Sequence, residues 1–217
     1  MREHKQWIED YEREEKRMAL TVTGSNKGDF KQVEPGSHLA RCYRIIDLGT
    51  QQDEWQGETK HFRKVMIEWE VPAETIEIDG IQKPLTISRW YTASLGKKAN
   101  LRRDLEGWRN KAFTDEELAG FDLKNVLTKP CMLSVIKSER GNSYVSAVSA
   151  IPKGMDIPAQ FNEEVFFSLE EYSQALFDSL PEGIQKIIMK SPEYAHATGV
   201  GAQLSGKIED MEDDIPF

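Results

Sequence analysis

His61-Phe62-Arg63-Lys64-Val65-Met66-Ile67-Glu68-Trp69-Glu70-Val71 places Val65, Ile67, Trp69 and Val71 on one parity and Phe62, Lys64, Met66 and Glu68 on the other. A period of two is that of a half-buried strand, and Pro72 stops it. The same period appears on both sides. Upstream, Leu39 to Leu48 is rich in β-branched, aromatic and aliphatic residues and ends at Gly49, which predicts a first strand; Thr50 to Lys60 reads as a polar connection with one aromatic, Trp55. Downstream, the Asp79-Gly80 pair favours a tight turn. A third strand is predicted over Leu85 to Thr92, with Leu85, Ile87 and Tyr91 on one face and Thr86, Ser88 and Trp90 on the other.

The period then changes. Lys98 to Lys111 carries Leu101, Leu105 and Trp108 at helical spacing, with Arg102, Arg103, Asp104 and Arg109 off that stripe. Thr114 and Glu117 have the spacing of a capping box. Two more strands follow, Pro130 to Lys137 and Ser143 to Ile151, joined by the turn Ser138 to Asn142. The order strand, strand, strand, helix, strand, strand is that of a five-stranded OB barrel, whose helix plugs one end. The fold expected is therefore mainly β with helical additions, with the barrel over residues 38–151. Closure would also shield the short strands' edges.

The flanks read differently. Residues 1–37 form a charged arm, helical over 1–20, and a loop in which Gly24-Ser25-Asn26-Lys27-Gly28 lacks phosphate-loop spacing. Residues 152–192 read as a helical appendage packed on the barrel or on another protomer, a pair of helices, Ser168 to Leu180 and Glu182 to Lys190, split by Pro181. Residues 193–208, with Gly199, Gly201 and Gly206, read as a flexible linker. The chain ends in Glu209-Asp210-Met211-Glu212-Asp213-Asp214-Ile215-Pro216-Phe217, five carboxylates followed by an apolar finish. An acidic run is commonly a solvating tail, but Ile215 and Phe217 are what an apolar pocket with a basic rim captures.

With 217 residues and 39% hydrophobic content, one core and a small satellite are expected. The net charge of −9 argues against nucleic acid only superficially, because the final nine residues supply −5 of it. Residues 85–113 hold seven bases against two acids. Cys42 and Cys131 lie in strand-like surroundings, and the four histidines show no metal-ligand spacing, so neither metal nor cofactor is expected. No signal peptide or long apolar run is present, which predicts a soluble cytoplasmic protein without membrane attachment.

Single strands are held by cations that track phosphates and by aromatic rings that stack bases. Phe62 and Lys64 occupy the outward parity of the second strand, and Trp90 that of the third. In an OB barrel this outer face and the loops joining strands one and two and strands four and five carry nucleic acid. Those loops add Trp55 and Arg140. Lys97, Lys98, Arg102 and Arg103 either extend the phosphate track or form a solvated helix face. Arg63 and Arg89 fall on the inward parity; an unpaired buried guanidinium is too costly, so each must reach a rim or mark a bulge. Trp69 and Trp108 belong to apolar stripes and are expected in the core. Trp90 is either open or covered by the helix or by residues 152–192, and parity leaves Tyr43 and Tyr144 undecided.

The final nine residues resemble the acidic tip of bacterial and phage single-stranded DNA-binding proteins, with Asp214-Ile215-Pro216-Phe217 matching letter for letter. The resemblance implies that Asp210, Glu212, Asp213, Asp214, Ile215, Pro216 and Phe217 dock replication or recombination proteins. A second stretch, from Ser88-Arg89-Trp90-Tyr91 through Asn100 to Arg109, Gly120-Phe121-Asp122 and Lys129-Pro130-Cys131, is similar to small proteins found beside recombination genes in bacteriophage genomes. Together they imply a phage-type protein that binds and protects single-stranded DNA in replication or recombination, as a monomer or a homo-oligomer. The alternative is a mediator that docks partners through the tail and binds DNA weakly. Catalysis is not expected: Asp47, Asp53, Glu54, Glu68 and Glu70 form no recognisable metal constellation, and no nucleophile lies in a known elbow.

Overall fold

The computed structural model describes residues 31–199, apart from residue 56 and the side chain of Trp55. The predicted arm over 1–20, the Gly24 to Gly28 loop and the tip at 209–217 lie outside the described residues.

The fold is mainly β. Three long strands, β1 (Gly36–Trp55), β2 (Glu58–Ile78) and β3 (Ile81–Thr92), form an antiparallel meander. Helix α1 (Asn100–Arg109), a short α2 (Asp115–Ala119) and a 3-10 turn (Leu123–Val126) lead to the hairpin of β4 (Pro130–Lys137) and β5 (Ser143–Ser149). The strand order in the sheet is β3-β2-β1-β4-β5, and β6 (Val165–Phe167) pairs in parallel with β1. Among the described residues, no backbone ladder joins the end strands β3 and β5. Three helices follow among the described residues: α3 (Gln174–Ser179), α4 (Glu182–Ile188) and α5 (Pro192–Thr198).

Turn chemistry sets the register. Asp79 and Gly80 both take positive φ, 54° and 77°, the geometry of the two-residue turn that suits the twist of paired strands. The connection predicted as polar loop over 50–60 is instead hairpin: β1 and β2 remain paired out to Trp55 and Glu58. Polarity misleads there because a two-stranded arm has solvent on both faces and no apolar parity. The predicted capping box is present, with the Thr114 hydroxyl accepting from the Glu117 amide at 3.2 Å and the Glu117 carboxylate accepting from the Thr114 amide at 3.0 Å.

Two cores lie on opposite faces of β1 and β2. The first gathers Ile45, Val65, Ile67, Trp69, Leu101, Leu105 and Trp108, with strands β4 and β5 closing over it. Trp69 and Trp108 meet at 6.0 Å between ring centroids, and Trp108 Nε1 donates to the Pro130 carbonyl at 2.8 Å. Both tryptophans are thus core, as their stripes predict. A side chain at Gly107 would come within 2.5 Å of the Val148 carbonyl, so this glycine lets α1 approach the end of β5. The second core buries Ile46, Leu48 and Met66 beneath Phe167, Leu169, Phe177, Leu180 and Ile188.

Of the two placements open for the segment after residue 152, the structure shows packing on the chain's own sheet: the segment donates β6 and covers the outer face of β1 and β2. Two expectations need correction. The predicted helix over Ser168 to Leu180 shortens to Gln174–Ser179, because Ser173 caps it there. Residues 193–198 of the predicted linker are α5. The local signals are Ser191, whose hydroxyl accepts from the Tyr194 amide, Pro192 in the first turn, and Gly199 at φ 72° after the last. Cys42 and Cys131 are buried and unbonded, as expected, and burial pushes both thiols up.

Candidate nucleic-acid interface

The second core decides which part of the sheet is open. Met66, expected on a nucleic-acid face with Phe62 and Lys64, is buried under the C-terminal helices. Its partner on β3 is Trp90, which is 45% exposed. The C-terminal layer therefore stops at β2 and leaves β3 uncovered. Thr86 and Ser88, on the parity of Trp90, are also exposed.

Inward-facing Arg89 shows what lies beyond β3. Its guanidinium donates to Asp104 of α1 at 2.9 Å and to the Ser146 carbonyl of β5 at 3.2 Å. The Tyr91 hydroxyl donates to the same Asp104 carboxylate oxygen at 2.9 Å. Asp104, predicted to lie off the buried stripe, is buried; it is the charge that makes an inward arginine tolerable. The second inward arginine is satisfied likewise, since Arg63 binds Asp47 at 2.6 Å and Glu170 at 2.9 Å. The Arg89 contacts bring β5 alongside β3, and Tyr144 lies two residues before Ser146 on that strand. Tyr144 is 45% exposed and opposes Ile136, itself exposed, at the end of the β4–β5 hairpin. Thr86 and Ser88 of β3 and Ala147 of β5 are likewise exposed and uncharged.

Cations rim this strip. Arg103 reaches Asp104 at 3.1 Å with its side chain largely in solvent. Lys97 and Lys98 are exposed and meet no carboxylate among the described residues. With Asn100, Arg102, Arg103 and Glu106 they line a hollow of about 300 Å³ at the start of α1. That helix has no side-chain N-cap and no acid in its first turn, so its free amides add to the local positive potential. Arg140 is exposed in the β4–β5 turn, beyond Tyr144.

Other predicted residues stand elsewhere. Phe62 is exposed on the β1–β2 arm beyond the end of β3, in a hollow with Asp53, Glu54 and Lys60. Lys64 lies over the Phe62 ring at 5.4 Å and binds Asp53 at 2.5 Å, so its charge is already matched. Arg102 binds Glu106 at 2.9 Å, and that guanidinium holds the Glu106 carboxyl below its usual range. The backbone of Trp55 ends β1; its side chain lies outside the described residues. The structure thus brings Lys97, Lys98 and Arg103 together at the start of α1, after Trp90 on β3; Arg140 lies in the separate β4–β5 turn, and Phe62 and Lys64 stand apart on the β1–β2 arm. Tyr144 was not singled out, because a strand of seven residues with a register shift at Ser134/Val135 has no readable parity. Tyr43, the other undecided tyrosine, is buried, and its hydroxyl accepts from Arg44 at 2.9 Å.

Among the described residues no cluster of His, Cys, Asp and Glu is placed to hold a metal ion, and no helix is long and apolar enough to cross a membrane. Comparison of the chain with protein-family models and with curated proteins finds no match.

Proposed function

We propose that the protein binds single-stranded DNA without base preference on the open surface of β3 and β5, and acts in phage-type replication or recombination. The observation that carries this is the pair of exposed rings, Trp90 on β3 and Tyr144 on β5, with the exposed cations Lys97, Lys98 and Arg103 at the start of α1 and Arg140 in the β4–β5 turn. Bases stack on the rings while the cations take up phosphate charge. The strand order β3-β2-β1-β4-β5, with a helix between β3 and β4, supports reading the body as an OB barrel with its β3–β5 seam held by side chains. The acidic tip then serves to recruit partner proteins.

Titration with oligo-dT, followed by tryptophan fluorescence, tests the proposal. Quenching and saturable binding are expected at low salt. Trp90→Ala should weaken binding about 5- to 150-fold, the range for one stacked base. Replacing Lys97 and Lys98 by alanine should flatten the dependence of log affinity on log salt by about 0.7 per lost phosphate contact. No binding at low salt by the unaltered protein would sink the proposal.

A second reading, a mediator with weak DNA affinity, is favoured by one observation: Lys64 and Arg102 are engaged by carboxylates of their own chain. A protein ending at Ile208 separates the two. Equal or tighter DNA binding after truncation supports the first. Loss of partner recruitment, with no DNA affinity in either form, supports the second.

A further inference from the structure

The segment between β5 and β6 crosses the outer face of the sheet with almost no regular structure, yet it is fastened at two points. Arg41 of β1 donates to the Pro158 carbonyl at 2.9 Å. Glu70 of β2, fully buried, accepts the Phe161 amide at 3.0 Å, the Asn162 amide at 2.9 Å and the Asn162 side-chain amide at 2.8 Å. A carboxylate on a sheet face costs several kcal/mol to desolvate unless its oxygens are filled. Here the strap fills them, so its position is set by the sheet itself.

That anchoring has a geometric result. Glu70 pairs across to Thr86 of β3, so the strap reaches its furthest point over the sheet at the border of the open strip. There it holds Phe161, whose amide is fixed but whose ring is 50% exposed, the most exposed phenylalanine of the described chain. Phe161 and Trp90 thus mark the two ends of the row Thr86, Ser88, Trp90. At about 3.4 Å per residue the row is roughly 14 Å long, which leaves room for bases stacked at each end. A ring left in water while its backbone is tied to a buried carboxylate gains nothing for the core.

We propose that Phe161 is a further base-stacking contact for single-stranded DNA, and that Glu70 positions it by holding the strap; this rests on the function proposed above. Phe161 stands at the Thr86 end of the row, Trp90 at the other end and Tyr144 on the neighbouring strand β5, so a bound strand has three platforms.

The test compares Phe161→Leu, Phe161→Tyr and Glu70→Gln in the full-length chain, with oligo-dT as probe and Trp90→Ala alongside. Phe161→Leu keeps an apolar side chain but removes the stacking face and should weaken binding about 5- to 150-fold. Phe161→Tyr keeps the ring and should bind within about twofold of the unaltered protein. Glu70→Gln should weaken binding while leaving the salt dependence unchanged, since it moves a ring and removes no phosphate contact. If Trp90→Ala weakens binding and Phe161→Leu does not, this inference fails and the proposed function stands. If the unaltered protein does not bind oligo-dT at low salt, both fail.

Discussion

Asp104→Ala is expected to lower the stability of the protein by about 3 kcal/mol, because breaking a buried ion pair strands the remaining charge. Asp104 is the common acceptor of Arg89 and Tyr91, and Arg89 in turn holds the Ser146 carbonyl. Removing it leaves a guanidinium that is mostly shielded from water and a buried hydroxyl, each without its anion. Urea unfolding followed by near-ultraviolet circular dichroism would read the loss. A double variant, Arg89→Met with Asp104→Leu, should recover part of it, since apolar groups of similar volume need no partner. A single-variant loss below about 1 kcal/mol would show that the seam between β3 and β5 is held by something else.

The second large effect is expected at Gly49→Val. Gly49 sits at φ 68°, where an L side chain costs about 1–2 kcal/mol. A Cβ there would also fall 2.4 Å from Cβ and Oγ of Ser191, the residue that caps α5. The Ser191 cap cannot move without displacing the neighbouring contact, in which Glu193 accepts from the Thr50 amide at 2.8 Å and its hydroxyl at 2.5 Å. The variant should lose about 3 kcal/mol in total and release α5 from β1, so that trypsin cuts rapidly after Lys190. Retention of the native cleavage pattern would refute this. Burial alone would raise the Glu193 carboxyl, but the Thr50 hydroxyl and amide outweigh it and hold the group below its usual range. Its contribution is therefore complete above the unfolded value of about 4.3 and is lost as pH falls through the lower, folded value.

The meander, α1 and the β4–β5 hairpin were legible because each has one apolar face and one wet one, which writes a period into the residues. His61 to Val71 shows the limit of that signal. It identifies a strand and its inner face correctly, but a second core on the outer face turns Met66 and Glu70 into buried residues although their parity marks them as exposed. The period records that a residue alternates, not what covers it. Strand β6 was invisible for a related reason: three residues are too few to show any period. Asp104 was misplaced because its partners, Arg89 and Tyr91, come from another element. The site shifted for the same reasons. Parity put Trp90 on the outer face of β3 but left open whether it was covered, and Lys97, Lys98 and Arg103 stood out by composition, whereas Tyr144 and Phe161 owe their exposure to contacts that only the folded sheet makes.

Strand β6 also fixes an order of events. Arg44, Ile45 and Ile46, near the beginning of the described chain, pair with Val165, Phe166 and Phe167. The central strand of the sheet therefore remains half finished during synthesis until nearly the whole body has left the ribosome. Pairings so distant along the chain pay the entropy of closing a long loop before they return any stability. Until then Ile46, Leu48 and Met66 face water, and the growing chain carries an apolar sheet surface that is covered once Phe167 to Ile188 have emerged.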